Sequence, residues 1–442
     1  MVGPKRGLEK TRHLSYSYPA NKRKGTCMRT PIQIVLPRRG RPPRTALLLL
    51  VGSLGLYSAG QSWADAPAPF AIETDYPGGN AIVDRIDGDT VYLRPDLRDT
   101  EGWWFYWNFR VSGASGRTLH FHFNDRNPIG VRGPALSLDH GAAWTWLGAE
   151  EVKDGAFAYS FPVDRGDAWF AFTVPYQESN LHRFLAAYER SDALAQDKLC
   201  TSAKGRDVEL LRAGRLDGEP QYRVLLTARH HACETMASFA LEGILAAVLA
   251  HDDDGDWFRR NVEVLAVPFM DKDGVEDGDQ GKNRRPHDHN RDYAGTSIYP
   301  EVAALRTRVR NWSNGKLRVA LDLHCPYIRG NRNEEIYIVG SADEAIWKEQ
   351  LAFGAVLEAV NDSPLPYHAS SSLPFGQGWN KPSNYTQGKS FGRWAGGLEG
   401  IRLSTTLEIP YANVSGATVT PDTARAFGQS LAKAIRAYLD SK

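Results

Sequence analysis

The stretch RVLLTARHHACETMASFALEGILAAVLA, residues 223–250, decides the fold. Residues 223–228 make a short, mostly apolar run, the pattern of a strand buried on both faces. From 234 to 250 the apolar residues return at helical spacing, and Phe239, Ile244, Leu245 and Val248 give one face of a helix. Between the two lies the polar cluster Arg229-His230-His231-Ala232-Cys233-Glu234. A strand end that turns straight into a helix is where open α/β sheets place their ligands.

The same rhythm continues outward. Strands are expected at 262–270, 318–323, 335–339 and 404–409, and helices at 344–360 and 422–439. Residues 196–442 therefore read as α/β, a mixed sheet covered by helices. Residues 67–195 read differently, as period-two alternation broken by turn residues. In 117–124, Leu119, Phe121 and Phe123 share one side while His120 and His122 share the other; similar runs occur at 103–111 and 168–175. This segment is expected to be an antiparallel β-sandwich preceding the α/β domain. With no third ligand in sight, His120 and His122 fit a wet strand face.

Chemistry enters at four strand ends. His231 and Glu234, three apart, can turn an imidazole and a carboxylate towards one ion, a pair that zinc accepts readily. Alone, the H-x-x-E pattern equally fits a solvated helix start. Asp322-Leu323-His324 ends another apolar strand and supplies a third ligand. Arg284-Arg285-Pro286-His287-Asp288-His289-Asn290-Arg291 is a polar loop whose Asn290 amide and Arg291 fork can hold a free carboxylate; a charged surface loop is the plainer alternative. His287 and His289 are expected to face solvent or a carboxylate. Thr405-Thr406-Leu407-Glu408 ends a late strand in a carboxylate able to take a proton from water and pass it to a leaving amine.

Length and composition frame these motifs. A chain of 442 residues suits two domains and a processed segment, and 42% hydrophobic with 24% charged residues is the balance of a globular protein. A net charge of +1 gives no reason to expect nucleic acid. The four cysteines are too few for a disulfide scaffold; Cys233 and Cys325 read as buried thiols, a bridge between them being the alternative. Residues 1–64 read as a leader: Arg38, Arg39, Arg41 and Arg44 precede an apolar run at 46–57 and the small residues Ser62 and Ala64. Cleavage is expected after Ala64, with Met28 an alternative start, and the product periplasmic or extracellular. The run is too short for a stable membrane span. Acidic clusters at 252–256 and 271–279 lack calcium-loop spacing and fit turns.

The four motifs, in this order, resemble the zinc carboxypeptidase superfamily, and particularly its cytosolic-carboxypeptidase-like branch, over nearly all of the mature chain. That branch carries a β-sandwich ahead of its catalytic domain, and Trp103-Trp104-Phe105-Tyr106, Pro175-Tyr176 and residues 181–185 are similar to its pattern. The resemblance implies one Zn2+ held by His231, Glu234 and His324, with Glu408 as general base and acid. It implies that Asn290 and Arg291 grip the terminal carboxylate of a peptide substrate, that Arg284 polarises the scissile carbonyl, and that Asp288 orients His231. The interval from Arg284 to Asn290 is shorter than in most of the family, so Arg285 is the alternative. Ala232-Cys233 stands where the family usually has Pro-Gly. Tyr385 is nearest in spacing to the tyrosine that covers the family's substrate. Gly392-Arg393 and Thr406-Leu407-Glu408 resemble the branch that trims acidic tails, which places Arg393 in the specificity pocket.

The function expected is thus removal of residues from peptide C-termini, with acidic ones favoured. A zinc deacylase or amidase would keep the ligands and Glu408 but has no need of Asn290-Arg291. A non-catalytic peptide- or glycan-binding protein has no need of Glu408. The sandwich is expected to restrict access to the cleft or to dock a partner.

Overall fold

The structure, a computed structural model, describes residues 70–124 and 126–441; the expected export leader lies outside the described residues. The described residues form one compact unit. Its centre is a seven-stranded sheet in the spatial order Leu194–Thr201, Asp207–Gly214, Val262–Val267, Tyr222–Ala228, Leu317–His324, Leu403–Glu408, Tyr337–Val339. The middle four strands are parallel, and antiparallel strands close both edges. Parallel strands need helical crossovers and are buried on both faces, which is why three of these four strands carry apolar runs, while Leu403–Glu408 carries Ser and Thr between its leucines.

Helix Thr235–Leu249 leaves the central strand at once and is buried nearly all round. It packs against the final helix, Pro421–Asp440, at a spacing that only glycine permits. A Cβ on Gly243 would lie 2.0 Å from the Arg425 carbonyl oxygen, and one on Gly428 would lie 2.0 Å from that of Ala240. The N-terminus of this locked helix carries Glu234. Sequence reasoning did not foresee the edge hairpin 194–214 or the helix Pro300–Ser313. The hairpin carries polar residues on both faces, and the helix mixes Arg and Thr among its apolar positions.

Ahead of this sheet stand two five-stranded sheets built from Ala71–Trp146 segments and from Ile82–Ser160 segments, with Ala168–Ala171 in the first. Phe109, Phe121, Phe157 and Phe170 fill the space between them, ring centroids 4.8–5.7 Å apart. Thr118–Phe123 alternates strictly between exposed and buried, as its sequence requires. The pairing is antiparallel with one exception: Thr90–Arg94 and Thr118–Phe123 run parallel. Residues 103–107, expected to begin a strand, are irregular, and the strand starts at Asn108. Among the described residues no single helix is long and apolar enough to cross a membrane.

Candidate metal centre and cleft

Register assembles the site. His324 pairs with Glu408 and Asp322 with Thr406 across neighbouring parallel strands, while Thr227 pairs with Asp322 on the other side. Residues two apart share a face, so Thr227, Asp322, His324, Thr406 and Glu408 stand together while Leu323 and Leu407 point into the core. His231 and Glu234 arrive from the third strand through a tight turn. Arg229 holds that turn in the left-handed region, φ +60°. Its buried guanidinium donates to the carbonyl oxygens of Ala232 (2.9 Å) and Tyr176 (2.9 Å) and to the Ser238 hydroxyl (3.1 Å). Those bonds offset the strain of a non-glycine residue there, of order 1–3 kcal/mol.

His231, Glu234 and His324 bring their ligand atoms within 4.8 Å of one another. The Nδ1 of His231 lies 2.9 Å from one Glu234 oxygen, and the Nδ1 of His324 lies 2.8 Å from the other. That second oxygen is fully buried yet makes no hydrogen bond. Two imidazole nitrogens and an orphaned buried carboxylate oxygen converging on one point form a donor set that fits zinc. Burial would push the Glu234 carboxyl up, but His231, His324 and Lys282 outweigh it and hold it well below the usual range. A second cluster, His230, Asp322 and His324, also lies within reach of one ion, but its members already satisfy one another.

The outer nitrogens face carboxylates. Asp322 Oδ2 is 2.6 Å from His324 Nε2. Asp322 Oδ1 accepts from the Thr227 hydroxyl at 2.8 Å and lies 2.8 Å from His230 Nδ1. Asp288, expected to orient His231, lies at a looser 3.7 Å from its Nε2. An outer carboxylate fixes which nitrogen carries the proton and leaves Nδ1 free for a metal. Asp322 was missed in the sequence although Asp322-Leu323-His324 was quoted for its histidine; the signal was the two-residue spacing, which puts carboxylate and imidazole on one strand face.

A cleft of about 440 Å³ opens beside this cluster. His231, His324, Asn290, Arg291, Tyr385 and Glu408 all line it, as do Trp104 and Tyr327. Glu408 is buried, which raises its carboxyl above the usual range against the pull of His324 and Lys282, and its Oε2 has no hydrogen-bond partner. The Asn290 Oδ1 accepts from the Phe391 amide at 2.9 Å, which fixes the amide orientation. Its NH2 lies 3.2 Å from His324 Nε2, a nitrogen that already faces Asp322, so the amide keeps donors for a ligand. Arg291 donates to the carbonyl oxygens of Asn384 (3.1 Å) and Asn290 (2.9 Å) and stacks on Tyr385 at 4.9 Å. The Tyr385 hydroxyl donates to Asn380 at 2.8 Å.

Two expected residues are elsewhere. Arg284 does not line the cleft: Asp271 takes its Nη1, Asp279 its Nη2 at 2.8 Å, and Asp99 lies 2.8 Å from its Nε. Three carboxylates around one guanidinium leave it nothing to offer a substrate. Arg285, the alternative, is exposed and pairs with Glu101. Arg393 is also absent from the cleft lining; its guanidinium lies 3.8 Å above the Tyr385 ring and 5.1 Å from that of Phe375. His287 faces the Asp292 carboxylate at 2.8 Å, and His289 is buried against Tyr299 at 3.6 Å between centroids. Cys233 and Cys325 are free buried thiols, and burial pushes that of Cys233 up to about 12. Asp252 and Asp271, from the acidic clusters, cap helix N-termini by accepting from Gly255 (2.9 Å) and Gly274 (3.0 Å).

No protein-family model matches the chain. An uncharacterised protein of Zymomonas mobilis is 26% identical over 248 residues, 54% of this chain and 63% of its own length. Cytosolic carboxypeptidase 6 of Caenorhabditis elegans is 22% identical over 319 residues, 63% of this chain and 69% of the relative. The chain thus spans just under two thirds of the first of these relatives. A crystal structure of a metallo-carboxypeptidase from Burkholderia cenocepacia superposes with a TM-score of 0.70 at 21% identity, over 84% of this chain and all of the other. The chain thus has the fold of the metallo-carboxypeptidases and is similar in sequence to cytosolic carboxypeptidases.

Proposed function

We propose that this protein is a zinc-dependent carboxypeptidase that hydrolyses the C-terminal peptide bond of peptides. The observation carrying this reading is that one cleft is lined by Asn290 and Arg291, by His231 and His324 of the cluster they form with buried Glu234, and by Glu408, whose Oε2 has no hydrogen-bond partner. His231, Glu234 and His324 would hold the zinc, which when bound supplies Lewis acidity and acidifies water. Asn290 and Arg291 hold the terminal carboxylate through charge-assisted hydrogen bonds, and that orients the last peptide bond towards Glu408. Burial makes Glu408 a stronger base than a solvated carboxylate, and it takes the proton of the attacking water and returns it to the leaving amine. Tyr385, which also lines the cleft, covers the terminal side chain.

We further infer a preference for acidic terminal residues. Arg393 has no carboxylate partner among the described residues and packs on Tyr385, so a turn of that ring would bring a free guanidinium to an acidic side chain. The basic and apolar pattern of 38–64 favours export to a periplasmic or extracellular compartment, which N-terminal sequencing of the mature protein would test.

The decisive experiment compares zinc-loaded protein on a peptide library and on the same peptides amidated at the C-terminus. Release of terminal residues from the free peptides alone is expected, fastest for Glu and Asp. Equal cleavage of the amidated set would refute the carboxylate grip and favour an amidase.

A further inference from the structure

Hydrolysis of a peptide bond drives negative charge onto the carbonyl oxygen, and a preorganised donor aimed at that oxygen is commonly the largest single contribution to such catalysis. Resemblance gives this task to Arg284, whose three carboxylate neighbours remove it from the cleft. Resting on the carboxypeptidase reading, we propose that Lys282 is the catalytic cation that stabilises the developing oxyanion.

Among the described residues, Lys282 and Arg291 are the lysine and arginine that line the cleft. Arg291 is committed to the carbonyl oxygens of Asn384 and Asn290 and to the terminal carboxylate. The Lys282 ammonium lies 2.7 Å from the Glu234 Oε1 and 3.2 Å from the Cys325 carbonyl oxygen. An ammonium has three N–H donors, so one remains for a substrate oxygen beside the metal cluster. The Trp104 ring centroid lies 5.9 Å from Nζ. The position is built into the backbone. Gly281, at φ +78°, presses its loop against the ligand turn so closely that a Cβ there would meet the Ala232 nitrogen at 2.3 Å. The chain therefore delivers the residue after Gly281, and not the one three later, to the ligands.

In the step so described, a water oxygen bonds to the carbonyl carbon, its proton goes to Glu408, and the carbonyl electron pair moves to the oxygen facing Lys282. Collapse re-forms the carbonyl, breaks the C–N bond and carries the Glu408 proton to the amine. Lys282 gains and loses no proton; it contributes a charged hydrogen bond that is strongest when the oxygen is negative. A lysine performs this as a point charge, without the two-pronged geometry of arginine.

The competing role is structural, as counter-ion to Glu234. Zinc content, kcat and KM on a peptide with a free C-terminus, and affinity for a tetrahedral phosphonate analogue of that peptide, would be measured for Lys282→Met, Lys282→Arg and the exposed control Arg285→Gln. For Lys282→Met we expect one zinc per chain, KM within about threefold, and kcat and phosphonate affinity each lower by about 10²–10³-fold, the cost of losing one oxyanion donor. Lys282→Arg should recover most of kcat, and Arg285→Gln should match the parent. Zinc lost in step with activity, or kcat unchanged in Lys282→Met, would overturn the proposal. Should Lys282→Met fail to fold, a Lys282→Arg enzyme with full zinc and no recovery of kcat would overturn it as well. A parent protein that binds zinc but releases no terminal residue would instead sink the carboxypeptidase reading, independently of Lys282.

Discussion

Replacing Asp322 with asparagine should weaken zinc binding by altering where His324 carries its proton. The Asp322 Oδ1 faces two donors, the Thr227 hydroxyl and His230 Nδ1, both at 2.8 Å, so the oxygen of an asparagine must take that place. Its NH2 then occupies the Oδ2 position, 2.6 Å from His324 Nε2. Two N–H groups cannot face each other at that distance, so Nε2 must become the acceptor and the proton moves to Nδ1, the nitrogen beside Glu234. Zinc would have to displace that proton and force an N–H against an N–H. Loss of a hydrogen bond to a charged group is worth about 1.5–3 kcal/mol, which at about 1.4 kcal/mol per tenfold is a zinc affinity lower by about 10- to 100-fold. Competition with a chromophoric chelator measures it, with circular dichroism of the zinc-free protein as the control for folding. Asp288→Asn should cost less than tenfold, because Asp288 stands 3.7 Å from His231. A folded Asp322→Asn protein whose affinity falls by less than twofold, or a reversed order of the two variants, would refute the tautomer argument.

Arg284→Gln strands buried Asp271 and Asp279 without their shared cation and should cost about 3–5 kcal/mol in urea unfolding, while kcat per folded molecule stays near the parent; a loss of kcat beyond tenfold at unchanged stability would return Arg284 to catalysis. Glu408→Gln should keep stoichiometric zinc and lower kcat by about 10²–10⁴-fold, the usual contribution of a general acid–base; metal loss in that variant would show Glu408 to be a ligand. Gly281→Ala meets both the left-handed φ and the 2.3 Å contact with Ala232. It should destabilise by at least about 1–2 kcal/mol, and a thermal midpoint unchanged from the parent would mean that the loop yields freely.

The parts of the fold legible in the sequence are those that packing dictates. Residues 344–360 form a helix with the expected ends because Asp343 caps its first turn by accepting from Ala345 and Ile346, a signal printed in the sequence. The strand ends at His324 and Glu408 follow from an apolar run and a β-branched run that each stop at a polar residue, and register then brings the two together. The role of residues 284–291 was not legible in the same way. Two adjacent arginines before a proline look interchangeable as text. Which of them faces a substrate depends on Asp99, Asp271 and Asp279, which lie far apart in the chain and meet only in the fold. Spacing counted back from Asn290 selects an arginine, whereas the left-handed Gly281 selects Lys282. Arg393 presents the same difficulty: its place in sequence resembles that of the specificity residue, but in space it stacks 3.8 Å from the Tyr385 ring centroid, outside the cleft lining.

The division at residue 195, plain as a change of rhythm, does not separate the chemistry into one half. The buried Gln280 accepts the amides of Phe105 (3.1 Å) and Tyr106 (2.8 Å) from the sandwich side. Its own NH2 donates to the Cys233 sulfur at 3.0 Å, and its carbonyl oxygen accepts from the Cys233 amide at 3.2 Å. One amide side chain therefore ties the irregular 103–107 segment to the turn bearing His231 and Glu234. The same segment sends Trp104 to the cleft lining, and Phe105 meets Tyr411 edge-on at 5.8 Å. Residues 103–107 cannot lie in a regular strand and also make these bonds, because ladder pairing would turn their amides away from Gln280. That explains both the failed strand expectation and the cluster of aromatic residues just before Asn108. The sandwich is a structural member of the site, tied through Gln280 to the turn that bears His231 and Glu234.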